Sequence, residues 1–182
     1  MDGLLVTAML LWGRQRGLSR EDLGLGADSL RRGAALLGIA IVAGLGVCVL
    51  VFAMTRDASS AAEVLSRTGG DVLRIFAITA TMEEIIFRGA FLGIAIPALG
   101  RRRAILVQSV SFGLWHIGPS IAELGLDETA DIVGVLGRVA FTGVAAVALA
   151  LVRVRYRSVV PCVALHGVIT SVNTVVSGIR VT

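Results

Sequence analysis

Long apolar runs alternate with short charged clusters along this chain, and most of the runs exceed what a buried strand or a soluble core helix needs. Residues 33–55 carry no charge over more than twenty positions, enough to cross a hydrocarbon core as one helix. Residues 104–122 and 158–179 are also charge-free and of spanning length. Residues 72–99 are mostly apolar but interrupted by Arg74, Glu83, Glu84 and Arg88, and residues 132–152 are apolar apart from Arg138, close enough to one end to snorkel. The pattern predicts an all-α, polytopic transmembrane helix bundle with five spans. Residues 3–12 form one further, short N-terminal apolar piece, too short to cross unaided. The predicted organisation is this piece with an Arg-rich loop over residues 1–32, then the transmembrane bundle over 33–182.

The connections test that reading. The first carries Arg14, Arg16, Arg20, Arg31 and Arg32; the next, residues 56–71, is net acidic. Arg101, Arg102 and Arg103 follow, then Glu123, Asp127, Glu128 and Asp131, then Arg153, Arg155 and Arg157. Basic and acidic connections alternate strictly, which the positive-inside rule explains if the Arg-rich loops are cytoplasmic. That places the C-terminus outside. Residues 120–131 could form a short surface helix but are expected to be a solvated loop, and the first twelve residues lack the basic flank and cleavage site of a removable signal peptide.

Composition sharpens the picture. Hydrophobic residues are 55% of the 182 positions and charged residues 16%, against about 25% charged in a typical soluble domain. Mean hydropathy is +0.86. The net charge of +4 does not indicate nucleic acid, because aromatic residues are few and are not interleaved with the arginines. All seventeen basic residues are Arg, placed where lipid headgroups would meet them; Arg, Ala, Gly and Val without Lys suggest a GC-rich bacterial source and hence the bacterial inner membrane. Cys48 and Cys162 lie in apolar runs without metal-ligand spacing and read as small buried hydrophobes.

Against this background the polar residues inside the spans stand out, since each ionisable group near a bilayer centre costs about 2.5–3.5 kcal/mol on insertion scales. They are Glu83, Glu84 and Arg88 in one span, His116 in another and His166 in the last, with Gln108 and Asn173 as further polar groups. Glu84 and Arg88 have the spacing and order of a helical ion pair, which reads first as structural pinning. Glu83 points about 100° away around an ideal helix and needs another partner, a proton or a task. Counted from the basic ends of their spans, Glu83, His116 and His166 lie about 24, 18 and 12 Å deep, differences that helix tilt absorbs. Converging, a carboxylate and two imidazoles can activate water and stabilise an oxyanion, or bind zinc; singly, each histidine reads equally well as a core residue bonded to backbone.

These residues carry a resemblance. Glu83-Glu84-Ile85-Ile86-Phe87-Arg88-Gly89 resembles the EExxxR signature of the CAAX protease and bacteriocin-processing family, also called CPBP or Abi. Phe112-Gly113-Leu114-Trp115-His116 is similar to its FxxxH motif, and His166 stands where its HxxxN or HxxxD motif begins. A weaker likeness extends over residues 16–25, and the best-matched core runs from about 72 to 173. One position departs: four residues after His166 stands Thr170, and the nearest Asn is Asn173, two turns from His166 on the same face.

The resemblance implies an intramembrane glutamic endopeptidase related to CAAX prenyl protease 2, acting without a catalytic metal or other cofactor on a membrane-associated or membrane-embedded peptide or protein. It implies Glu83 as general base with His116, and His166 with Thr170 or Asn173 as oxyanion holder. Glu84 and Arg88 would fix the helix. Membrane lipid and a peptide substrate are the expected partners. Two readings from other classes stay open. A non-catalytic binding or immunity protein of the same fold is favoured by Thr170, and a small transporter or proton relay using Glu83 and the histidines is disfavoured by the lack of an internal repeat.

Overall fold

A computed structural model gives the fold over residues 2–55, 70, 73–126 and 129–179, and these are almost entirely helical, with no strand among them. Helix α1 spans Asp2–Gln15 and α2 Ala27–Thr55. Helix α3, residues 73–99, is a composite of α and π turns. It is followed by α4 (Arg101–Trp115), α5 (Ile117–Leu124), α6 (Thr129–Tyr156) and α7 (Val160–Ile179). Among the described residues two stretches are long and apolar enough to cross a membrane, Arg101–Leu124 and Asp131–Tyr156.

The first of these is not straight. His116 sits at the joint between α4 and α5 with φ −84° and ψ −1°, and its N–H bonds Gly113 O at 3.0 Å, a tightened turn that bends the predicted 104–122 segment. Residues 120–131, expected as a solvated loop, are instead helical as far as Leu124, where Gly125 at φ +81° ends α5. The short run Ile117–Leu124 has enough apolar surface to stay against α6, which is why it extends the helix. The acidic connection 56–71 lies almost wholly outside the described residues, as do Asp127 and Glu128.

Helix α3 is the centre of the bundle, and its buried side chains record five neighbours. Phe76 packs among Leu37, Ala40 and Ile41 of α2 and Val168 of α7. Ile86 and Phe87 meet Met9 and Leu10 of α1, Phe112 of α4 and Ala146 of α6. Leu92 and Ala95 meet Ala104 and Ile105 of α4 and Ala150 of α6. The outward faces are just as apolar: Val42 is 70% exposed and Val144 71%, which suits contact with lipid rather than water.

Small residues set the spacing. A Cβ on Gly113 would stand 2.8 Å from Val139 O, so α4 and α6 approach as closely as they do only because that position has none. A Cβ on Gly167 would overlap the Phe76 ring, and the same argument brings α7 against α3. His166 precedes Gly167 and is carried to α3 by that contact.

Two Arg-rich connections meet at one end of the bundle. Val159 N–H bonds Gly24 O at 3.2 Å, Ser158 Oγ bonds Ser29 O at 2.9 Å, and Arg153 Nη2 donates to Asp22 O at 2.6 Å. Within the first connection, Ser19 donates its backbone N–H and its hydroxyl to Asp22 Oδ2, at 2.9 and 2.8 Å, which holds that carboxyl below the usual carboxylate range. At the opposite end Arg138 grips Glu123 with both terminal nitrogens, Nη2 to Oε1 at 2.9 Å, tying α5 to α6.

Candidate functional site

The two carboxylates sit on a short α turn of α3, Thr81–Glu84, between π-helical stretches Ile75–Ala80 and Ile85–Phe91. A π turn is wider than an α turn and rotates the chain less per residue, so side chains that an ideal helix would fan apart are re-aimed. Thr81 Oγ1 donates to Phe76 O at 2.6 Å across the first of these wide turns. Neighbouring Glu83 and Glu84 both approach the ring of His166, from opposite nitrogens.

Glu84 and Arg88 are both completely buried, and Arg88 Nη1 donates to Glu84 Oε1 at 2.9 Å. The same oxygen accepts from His166 Nδ1 at 2.8 Å. An ionised carboxylate only accepts, so Nδ1 carries the proton and Nε2 faces the other way. There it lies 3.7 Å from Glu83 Oε2. His116 repeats the arrangement. Its Nδ1 donates to Phe112 O at 2.9 Å, which leaves Nε2 4.0 Å from the same Glu83 oxygen. Glu83 Oε2 is buried and makes no hydrogen bond to protein. The spacings exceed a direct hydrogen bond and match groups that share one water.

Phe112 lies between the parts. Its ring takes the Arg88 guanidinium at 4.2 Å from the centroid and the rings of His116 and His166 at 4.7 and 5.8 Å. A cation over a ring face is attracted by its quadrupole, so Phe112 adds to Glu84 in keeping Arg88 charged. The i, i+4 spacing of Phe112 and His116 was the sequence signal for this contact; the residue is half of a motif, and its role is the platform rather than the chemistry.

The remaining predicted residues are placed less centrally. Thr170, one turn beyond His166 on α7, is half-buried, whereas Asn173 is exposed. Gln108 is fully buried on α4, two turns before His116. Cys162 is buried and directs its thiol at Leu149 O, 3.3 Å away, as a core residue; the Cys48 side chain lies outside the described ones. A cavity of about 330 Å³ opens beside Glu83, lined also by Thr79, Met82, Ile86, Trp115 and Pro119, so that among its described lining residues the carboxylate is the only charge.

One supporting residue was not singled out from sequence. Arg153, in the last turn of α6, is 7% exposed, and its Nε donates to Arg88 O at 3.2 Å while Nη2 holds Asp22 O. It ties the first Arg-rich connection to the backbone of α3 at the residue that pins Glu84. In the sequence Arg153 looks like its neighbours Arg155 and Arg157, which are exposed.

Residues 67–172, more than half of the chain, match the family described as type II CAAX prenyl endopeptidase Rce1-like. No curated protein and no solved structure matches the chain. The chain belongs to the Rce1-like family, whose members are integral membrane proteases.

Proposed function

We propose that this Rce1-like chain is an intramembrane glutamic endopeptidase that hydrolyses a peptide bond with a water activated by Glu83 and His116. The observation that supports it most is the buried Oε2 of Glu83, without a hydrogen bond, facing two imidazole Nε2 atoms at 3.7 and 4.0 Å. In this reading Glu83 takes a proton from water, and the hydroxide adds to the scissile carbonyl. His166, protonated with its Nδ1–H held by Glu84, offers Nε2–H to the tetrahedral oxyanion, as an orienting carboxylate does in other hydrolytic triads. Glu83 then returns its proton to the departing amine. Thr170, half-buried one turn from His166, is better placed than exposed Asn173 to give the oxyanion a second donor.

The substrate is a membrane-associated or membrane-embedded peptide or protein, its apolar side chain seated in the cavity beside Glu83. The experiment is cleavage of a panel of membrane peptides by the purified chain, with and without a strong chelator, products identified by mass. Cleavage that persists in chelator is the expected result. Cleavage lost in chelator and restored by zinc would replace the glutamate mechanism with a metal one. Failure to cut any peptide would favour a binding protein of the same fold.

In this reading the chain lies in the bacterial inner membrane with five spans and its Arg-rich loops in the cytoplasm; the meeting of the first and last of those loops at one end, with the Glu123–Arg138 pair at the other, supports it. A cysteine at Arg102 should then label only from the cytoplasmic side, and one at Leu126 only from outside. The reverse labelling would invert the topology.

A further inference from the structure

A second cavity lies away from the glutamate, at the Arg-rich end, between α1 and the connection that follows it. It holds about 700 Å³, within the range of small-molecule sites. Its walls are mainly leucines of α1 (Leu10, Leu11) and of the connection (Leu18, Leu23), with Thr7 and Ser19 among them, and the ionisable groups among its described lining residues are Arg14 and Arg20. Both arginines are exposed, and no carboxylate is among the described lining residues. Glu21, next to Arg20 in the chain, has its carboxylate turned over Gly26, with Oε1 2.7 Å from where a Cβ there would stand, and the Asp22 carboxylate is held by Ser19.

An apolar chamber with two cations and no anion, at the level where a membrane changes from hydrocarbon to headgroup, matches one kind of occupant. The geometry points to a resident anionic phospholipid, its phosphate on Arg14 and Arg20 and an acyl chain along the leucines. A hydrocarbon chain alone would leave the two arginines without a counter-charge, and a free phosphate would leave the leucine walls unfilled. Charge and shape are satisfied together only by a molecule that has both.

The site borders the working helix. A Cβ on Gly93 of α3 would lie 3.3 Å from Asp22 O and 3.7 Å from both Leu18 Cδ1 and Leu23 Cδ2, so the leucines that wall the cavity also seat on α3. Leu10 packs on its other side against the cluster of Ile86, Phe87 and Phe112. A lipid held here steadies the connection that Arg153 fastens to Arg88 O. The proposal concerns binding, and it stands whether or not the glutamate reading does.

The test is native mass spectrometry of the full chain, released from detergent with phosphatidylglycerol or with phosphatidylcholine of identical acyl chains. Phosphatidylglycerol should be retained at least about tenfold better, given roughly a fivefold effect for each of two basic residues near an anionic headgroup. Arg14→Gln with Arg20→Gln should abolish the preference, both side chains being exposed and so dispensable for folding. Arg101→Gln with Arg102→Gln, at another Arg cluster, should leave it intact. Leu11→Trp, which fills the cavity, should lower retention of both lipids. Equal retention of the two lipids, loss of preference in the Arg101/Arg102 variant, or normal retention in Leu11→Trp would each overturn the proposal. So would displacement of the lipid by a farnesylated peptide, which would assign the cavity to substrate.

Discussion

Two carboxylate–arginine pairs mark the two regions of this bundle, and they differ in the opposite sense to their geometry. At the rim, Arg138 and Glu123 make a two-pronged contact across two helices, with 26% and 58% of their side chains exposed. At the centre, Arg88 and Glu84 make one 2.9 Å hydrogen bond within one helix, both fully buried, and Arg88 Nε and Nη2 find no protein acceptor. By hydrogen-bond count the rim pair is the better one. Burial reverses the ranking, because solvent replaces a lost partner at the rim and cannot do so at the centre. Only the central pair also carries a histidine, so its cost in a low-dielectric interior is spent on orienting a reactive group.

The largest effect expected from that contrast is on stability. Arg88→Ala strands Glu84 and should cost about 3–5 kcal/mol, the range for breaking a buried pair. Arg138→Ala should cost no more than about 1 kcal/mol. Melting of the two purified variants in the same detergent checks the difference, and equal losses would mean that the central pair is wetted.

A smaller effect separates holding from orienting. Glu84→Gln keeps the shape but weakens the grip on both Arg88 and His166, so melting should fall less than in Arg88→Ala while turnover drops by roughly a hundredfold. Turnover that simply tracks the folded fraction would reduce Glu84 to a structural role.

Much of the central region was legible in the sequence. Glu83, His116 and His166 are visible because the spans around them are nearly free of charge, and the Glu84–Arg88 contact follows from a spacing of four. The bond from Glu84 to His166 was not legible. An ideal helix turns adjacent carboxylates about 100° apart, and both reach one residue because the His166 ring presents Nδ1 to Glu84 and Nε2 to Glu83. Arg153 was hidden for another reason: a terminal arginine that snorkels and one that folds back onto backbone carbonyls have the same sequence signature. The extension of α5 to Leu124 was missed because Glu123 reads as a loop residue until its partner Arg138 is known.

The most direct test of the central claim is Glu83→Gln, measured for peptide cleavage and peptide binding in the same preparation. The substitution keeps the side chain's shape and one acceptor oxygen but removes the base, and Glu83 is outside the Arg88 bond, so melting should stay near wild type. Cleavage should fall by at least about a hundredfold, the low end of a general base's contribution, with peptide affinity retained. His116→Ala should fall similarly, and combining the two should lose little more, as expected of groups that act as a unit. A purified, folded Glu83→Gln protein that cleaves at the wild-type rate would contradict the account.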